Sequence, residues 1–487
     1  MERVSLLFLK VFLLFIFFVG NGKGDGMQSY DVIVIGLGAA GTAASSTLAA
    51  AGKKVLAVEA QDRVGGRVMT VEFGDGVVEL GAEWIHGTEN SPVYEAATTH
   101  SVPLLAQDLT MKCFRSSGEP CDQDVMNDLV VQAFLVADDK PDRVQRLGDY
   151  VMGKLTDYIK NHYPSLIKDA DFMKHLFHFL NYFFDNYEAT NDWNDATTAS
   201  NYEQLEGHQH MSWHRNGYRT FFDILLNKFN NGTGLPNLTI KLNTEVTNIN
   251  YEATDGVTVT CKDGGVYTAA NVIVTVSLGV LKNRHQTLFT PSLPQPKIDV
   301  IQNMSIGVMD KIIFKFNKPW WPREFSFYGF IWKEEQRKKL LEGEDWLYRI
   351  FGASSPMGSG NALTLWTSGE TAKLVETLPA EEVKSKCMKL LRLFMGKEID
   401  IPEPVDMIRS LWHSNPYTLG SYSHDNIWAV KNPNARKILS APIRGKQNGC
   451  QVFFAGEATH EMHYSTVHGA AMTGFNVAKI LLGRSKL

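Results

Sequence analysis

Cysteine is scarce in this sequence: Cys113, Cys121, Cys261, Cys387 and Cys450 are the whole set, and no two form a C-x-x-C pair. That scarcity excludes a disulfide scaffold and a paired-cysteine zinc site, and the odd total leaves at least one free thiol. Cys113 and Cys121 are close enough in sequence to close a short hairpin. An excess of positive charge is missing too. With 48 Lys and Arg against 53 Asp and Glu, the formal net charge is −5, so no basic field gathers phosphates. Nucleic-acid binding is thereby excluded as the main role, whereas a cationic small molecule is tolerated. What is present is ordinary for a globular chain, 44% hydrophobic and 21% charged over 487 residues. This composition excludes disorder and collagen, and the length suits two or three domains.

The two ends carry conflicting addresses. Behind Arg3 the apolar run Val11 to Gly20, followed by small and polar residues, has the layout of a secretory signal over residues 1–22, too short to span a bilayer comfortably. The C-terminus reads Ser485-Lys486-Leu487, a peroxisomal import address. A start at Met27 would remove the first and leave the second, so the chain is secretory if the first signal is used and peroxisomal if translation begins at Met27. The sequons at Asn231, Asn237 and Asn303 do not arbitrate, because composition alone yields about this many.

From Tyr30 the organisation is plainer. Residues 31–35 (DVIVI) form a nearly continuous apolar run, the pattern of a strand buried on both faces in a parallel sheet. It enters Gly36-Leu37-Gly38-Ala39-Ala40-Gly41, then a small-residue helix, then a second strand ending at Glu59. Strand, glycine turn, helix and an acid about 20 residues on are the dinucleotide-binding fingerprint. Glycines let the backbone approach a pyrophosphate, the helix N-terminus supplies unpaired N–H groups, and Glu59 accepts from a ribose hydroxyl. Arg63 and Arg67 flank Gly65-Gly66 and add forked donors suited to phosphate. Residues 126–187 read as helical. Residues 238–251, 256–261 and 271–276 alternate like strands, and so does Lys311 to Phe316, with one face toward a core.

After Arg67 the chain reads Glu79-Leu80-Gly81-Ala82-Glu83-Trp84-Ile85-His86-Gly87, and near its end Val452 to His460 and Tyr464 to Ala470. Together with the glycine turn, these blocks resemble the FAD-dependent amine oxidases, specifically the polyamine oxidase branch, from Tyr30 to about Leu482. The resemblance implies an α/β fold: a Rossmann-like FAD-binding domain (27–105, 215–297 and 445–487) with an α+β substrate-binding domain inserted (106–214 and 298–444). It implies non-covalent FAD, since the cysteine that tethers the cofactor in monoamine oxidases is not found here. Gly36, Gly38, Gly41, Glu59, Arg67, Val246, Trp412, Gly456, Glu457 and the Val467 N–H would hold the cofactor, with Val246 toward the adenine. Lys311 would hold a water beside the flavin, and desolvation there would lower its pKa. His86 would hydrogen-bond the substrate, Tyr422 would form an aromatic wall, and Ser465 and Thr466 would touch substrate amines.

The activity so implied is oxidation of a secondary amine of spermine, N1-acetylspermine or a related polyamine. A hydride passes to FAD, the imine hydrolyses to an aldehyde and a shorter amine, and O2 is reduced to hydrogen peroxide. The partners are a small polyamine and O2, with no nucleic acid and no metal. Acidic residues should line the substrate tunnel, and Glu83, Glu203 and Glu206 are candidates; Glu83 stands where relatives commonly carry Thr or Asn. Other flavin amine oxidases, an L-amino-acid oxidase and a non-catalytic FAD-binding protein remain alternatives.

Overall fold

The structure, a computed structural model, describes residues 29–483 apart from 255, 398 and 446–450. The signal segment 1–22, Met27, Cys450 and the C-terminal address lie outside the described residues. No described helix is long and apolar enough to cross a membrane.

The apolar run after Tyr30 becomes the strand Ser29–Ile35, which pairs in parallel with Val55–Val58 on one side and Val266–Val274 on the other. Alternate side chains feed two cores, which is why the run is continuous rather than alternating. Val32 and Val34 pack with the small helix Ala39–Ala50 and with Val467–Leu481, whereas Ile33 and Ile35 pack with Val246, Ile249 and Leu281. Six further strands complete a nine-stranded sheet, including Gln451–Phe454, in parallel register with the end of Val266–Val274.

Two strand expectations need correction. Residues 238–251 are not one strand: Leu238–Lys241 lies beside Val55–Val58, while Val246–Asn250 lies near the opposite edge. The polar stretch between them crosses the ends of the parallel strands, which brings Thr244, Glu245 and Val246 to the cavity described below. The strand expected over 271–276 instead spans Val266–Val274, because its first half pairs antiparallel with Val257–Cys261 through a turn at Asp263-Gly264.

The helical block resolves into Gln123–Ala137, Leu147–His162 and Ala170–Glu188. The first and third are capped by Asp122, which accepts from the Val125 N–H at 3.1 Å, and Asp169, which accepts from Phe172 at 2.9 Å. Ala170–Glu188 packs on a six-stranded sheet in the order Asp406–Arg409, Met309–Lys315, Ala362–Ser368, Gly352–Ser354, Phe327–Ile331 and Met111–Arg115. The strand Met309–Lys315, second from one edge, is buried on both faces rather than the one expected, because a core covers each side. Ile312 and Phe314 join the core beneath the helices. Ile313 faces the other way, onto Phe73, Leu80 and Trp412, and Lys311 shares that side. Cys113 and Cys121 sit across a hairpin, joined by the Cys121 N–H donating to the Cys113 carbonyl at 2.9 Å, with both thiols free.

Candidate active site

A cavity of about 940 Å³ runs from the glycine turn of the first sheet to the helical side of the second. At its first end Gly36 has φ +95°, and a Cβ on Gly41 would lie 1.9 Å from the Gly36 carbonyl oxygen. Only glycine lets the Ala39–Ala50 helix start so close to the strand end, which leaves the first helical N–H groups facing the cavity side of the turn. Gly38 lies against the Gly65-Gly66 turn. Glu59 accepts from the Leu37 N–H at 2.7 Å and the Gln61 N–H at 2.9 Å, so its carboxylate sits at the turn with lone pairs to spare.

The two arginines separate. Arg67 lines the cavity and pairs with Glu457 at 2.9 Å. Arg63 does not serve as the second phosphate donor expected of it: its guanidinium turns onto the carbonyls of Gly66 (2.7 Å) and Val68 (3.0 Å) and braces the turn. Glu457 also accepts from the Ser423 hydroxyl at 2.7 Å and the Ser465 N–H at 3.0 Å. Burial alone would push its carboxyl up, but the charge of Arg67 and the Ser423 and Arg67 hydrogen bonds hold it below the usual carboxylate range. Trp412 lines the same region, its indole N–H donating to the Leu80 carbonyl at 3.1 Å. Val246, Gly456 and Val467 complete this end.

Lys311 is 1% exposed. Its Nζ donates to the carbonyls of Glu79 (2.9 Å) and Gly81 (3.0 Å) and to Glu83 Oε2 (2.7 Å), with the Trp366 ring centroid 4.7 Å away. Two expectations change. Lys311 is desolvated but carries a counter-charge. Glu83 is not a cation-gathering acid at the mouth but is buried in an ion pair, because the turn at Gly81 carries its side chain inward.

His86 lines the cavity, and its Nδ1 lies 2.7 Å from the Gln209 carbonyl. Burial lowers its pKa below the ordinary value although that carbonyl opposes the shift. A neutral ring donating from Nδ1 leaves Nε2 as an acceptor, the form that can receive an amine N–H. Ser465 and Thr466 also line the cavity, and their hydroxyl protons are spent on the protein, so that only oxygen lone pairs are left to meet an amine N–H. Ser465 donates to the Ser423 carbonyl. Thr466 caps Val467–Leu481, accepting from the Gly469 N–H at 3.0 Å and donating to the His463 carbonyl at 2.8 Å.

The acid that sequence reasoning missed is Glu188, the last residue of Ala170–Glu188. It lines the cavity together with Tyr187, Tyr202, Tyr422, Tyr464 and Asp138. Its carboxylate makes no hydrogen bond or ion pair among the described residues. Desolvation, then Asp425 and Asp138, pushes it up to about 7. Its charge in turn acts on all four tyrosines. Tyr422 is fixed by its hydroxyl donating to the Asn186 carbonyl at 2.8 Å. A signal was present in the sequence: an acid at a helix C-terminus opposes the helix dipole and needs another reason to be there. Glu203 and Glu206 are exposed and outside the cavity lining, because their loop turns them outward.

A parallel sheet ending in a glycine turn, with an acidic acceptor, an arginine and a second sheet closing an elongated cavity, defines a dinucleotide-dependent oxidoreductase. Residues 39–482 match the family described as flavin containing amine oxidoreductase, and the chain belongs to that family, with FAD as its cofactor. It is 29% identical over 508 residues to the peroxisomal N(1)-acetyl-spermine/spermidine oxidase of Homo sapiens, covering 94% of this chain and 96% of that protein. It is 27% identical over 470 residues to lysine-specific histone demethylase 1 homolog 2 of Oryza sativa subsp. japonica, covering 94% of this chain but 57% of that one. A redesigned putrescine oxidase double mutant shares the fold, with a TM-score of 0.65 at 17% identity, covering 94% of this chain and 99% of that one. The residues present fit the cofactor. The turn at Gly36 and Gly41 is a cradle that a side chain would fill, and Glu59 and Arg67 supply an acceptor and a cation beside it.

Proposed function

We propose that this chain is a polyamine oxidase acting on a secondary amine of spermine, N1-acetylspermine or a related polyamine. The observation that carries the reading is the unpaired Glu188 carboxylate within four tyrosines. Aromatic walls pack methylenes and accept a cation on their faces, and a carboxylate in a water-poor site needs a positive partner. Glu188 therefore takes a distal ammonium, with Asp138 as a second acid nearby. The relative named for N(1)-acetyl-spermine and spermidine supports the same chemistry.

Bound FAD supplies the hydride acceptor and passes electrons to O2. In this reading it is held without a covalent tether by Gly36, Gly38, Gly41, Glu59, Arg67, Val246, Trp412, Gly456, Glu457 and Val467. His86 Nε2 receives the amine N–H and orients the reacting nitrogen in its neutral form, Tyr422 walls the methylene chain, and Lys311 with Glu83 forms the polar wall opposite. Ser465 and Thr466 act through the helix start that they fix. The division into two domains at the boundaries given above belongs to the same proposal.

The test is hydrogen peroxide release by the purified yellow protein against spermine, N1-acetylspermine, spermidine, L-amino acids and monoamines. One polyamine is expected to exceed every amino acid and monoamine in kcat/KM by about 100-fold, since losing a buried charge pair costs roughly 2–5 kcal/mol. A monoamine or amino acid turned over best would overturn the reading.

A further inference from the structure

The lysine ammonium has three N–H donors and no more, and the protein fills all three at Lys311: Glu79 O, Gly81 O and Glu83 Oε2, at 2.9, 3.0 and 2.7 Å. Glu83 is 8% exposed and lines the cavity. Its second oxygen, Oε1, has no hydrogen-bond partner among the described residues. The ammonium therefore has no N–H left for the cavity, and Glu83 stands between that cavity and a small one beside Ser212 and Trp213.

We propose that Glu83 is a positioning residue for Lys311 and that the two act as one charge-balanced unit on the flavin side of the cavity. Glu83 fixes Nζ in place and cancels its charge. The unit is braced from each element that packs on it. Glu79, whose backbone carbonyl takes one ammonium proton, has its carboxylate held by the Thr70 hydroxyl (2.9 Å) and the Tyr218 N–H (2.8 Å), and the charges of Lys311 and Glu83 act on it in opposite senses. Trp366 covers Nζ and stacks on Trp84 with centroids 6.0 Å apart. Asp310 accepts through Oδ1 from the Ser410 hydroxyl and the Trp412 N–H, while its Oδ2 is buried with no hydrogen-bond partner among the described residues, and His86 stands two residues beyond Trp84 on the cavity wall.

A buried ammonium stripped of its counter-charge favours the more negative state of a neighbouring redox group, so charge at this wall is readable on the bound flavin. The inference rests on the FAD reading but not on which amine is oxidised. The experiment measures the flavin midpoint potential of the holoprotein by dye-coupled photoreduction, with no amine present, in wild type, Glu83→Gln and the Glu83→Gln/Lys311→Met double variant. Glu83→Gln leaves an uncompensated cation and is expected to shift the potential positive. The double variant restores charge balance and is expected to return it to the wild-type value. Flavin reoxidation by O2 should change about tenfold in Glu83→Gln, with KM for the amine within about twofold of wild type. An unchanged potential in Glu83→Gln, or a double variant that keeps the positive shift, overturns the proposal. A raised KM with unchanged potential overturns it equally and places Glu83 on the substrate ammonium. Should no amine be turned over, the polyamine reading fails while the potentials still decide this one. If Glu83→Gln alone does not fold, the double variant, which buries no lone charge, still decides: a potential away from the wild-type value overturns the proposal.

Discussion

Gly41→Ala is expected to yield colourless protein, with flavin absorbance per chain below about a tenth of wild type. The new methyl would stand 1.9 Å from the Gly36 carbonyl oxygen and 2.9 Å from Thr275 Oγ1. Neither can retreat cheaply. The Gly36 N–H is bound to the Val58 carbonyl at 2.8 Å, and the Thr275 hydroxyl donates to the carbonyls of Ile35 and Gly36 at 2.9 and 3.0 Å. Overpacking of this kind costs about 1–3 kcal/mol directly. The larger effect is on the site, since displacing the helix start by even a fraction of its first turn removes the donors that face the pyrophosphate. The chain also loses the stabilisation that a bound ligand confers, so Tm falls further in the variant than overpacking alone predicts. Flavin absorbance and Tm, read beside Gly153→Ala, check it: a Cβ at Gly153 meets nothing within 4 Å, so that control should stay yellow. A yellow Gly41→Ala would refute the assignment of the pyrophosphate to this turn.

The second large effect is expected at Glu188. Glu188→Gln should raise KM for the preferred polyamine about 30-fold or more, ~2 kcal/mol at the lower end of what a lost buried charge partner costs, with a smaller change in kcat. The pH dependence gives a sharper signature. Burial and the neighbouring acids push the Glu188 carboxyl up to about 7, so in the free protein it gains its charge as pH rises through 7. A cationic substrate requires that charge, and KM in wild type should fall across this range. The Gln variant should lose this step while keeping the rise in turnover that follows deprotonation of the amine itself. Stability carries the opposite sign. A carboxyl raised above its unfolded value favours folding at low pH, and that contribution is lost between about 4.5 and 7. Free wild-type protein should therefore lose stability relative to Glu188→Gln over this interval, and saturating polyamine should remove the difference. Steady-state kinetics and thermal melts from pH 5 to about 9 test both; a KM unchanged in the variant would take Glu188 out of the substrate site.

How much of this was legible beforehand follows from the reach of each interaction. Residues 31–59 were readable because strand, glycine turn, helix and acid are local: the backbone demands of the turn restrict Gly36 and Gly41 within six positions, and the apolar run records burial on both faces. The helical character of residues 126–187 was readable from composition, rich in Leu and Phe with few glycines, but not its division into three helices or the caps at Asp122 and Asp169. The site was only half legible. Lys311, His86 and Tyr422 were found through motif resemblance, and all three line the one cavity. The sequence by itself determined the cofactor-binding half-fold and the family, and offered a set of candidate site residues that left out Glu188. The tertiary structure alone decided which of those residues remain free to act. Contacts between positions far apart in the chain engage the Ser465 hydroxyl with Ser423, turn Arg63 onto its own loop, and bind Glu83 to Lys311. The same long-range packing leaves the Glu188 carboxylate without a hydrogen-bond or ion-pair partner among the described residues. A side chain's chemistry is written in the sequence, but whether its hydrogen-bonding capacity is already spent depends on groups that only folding brings within 3 Å.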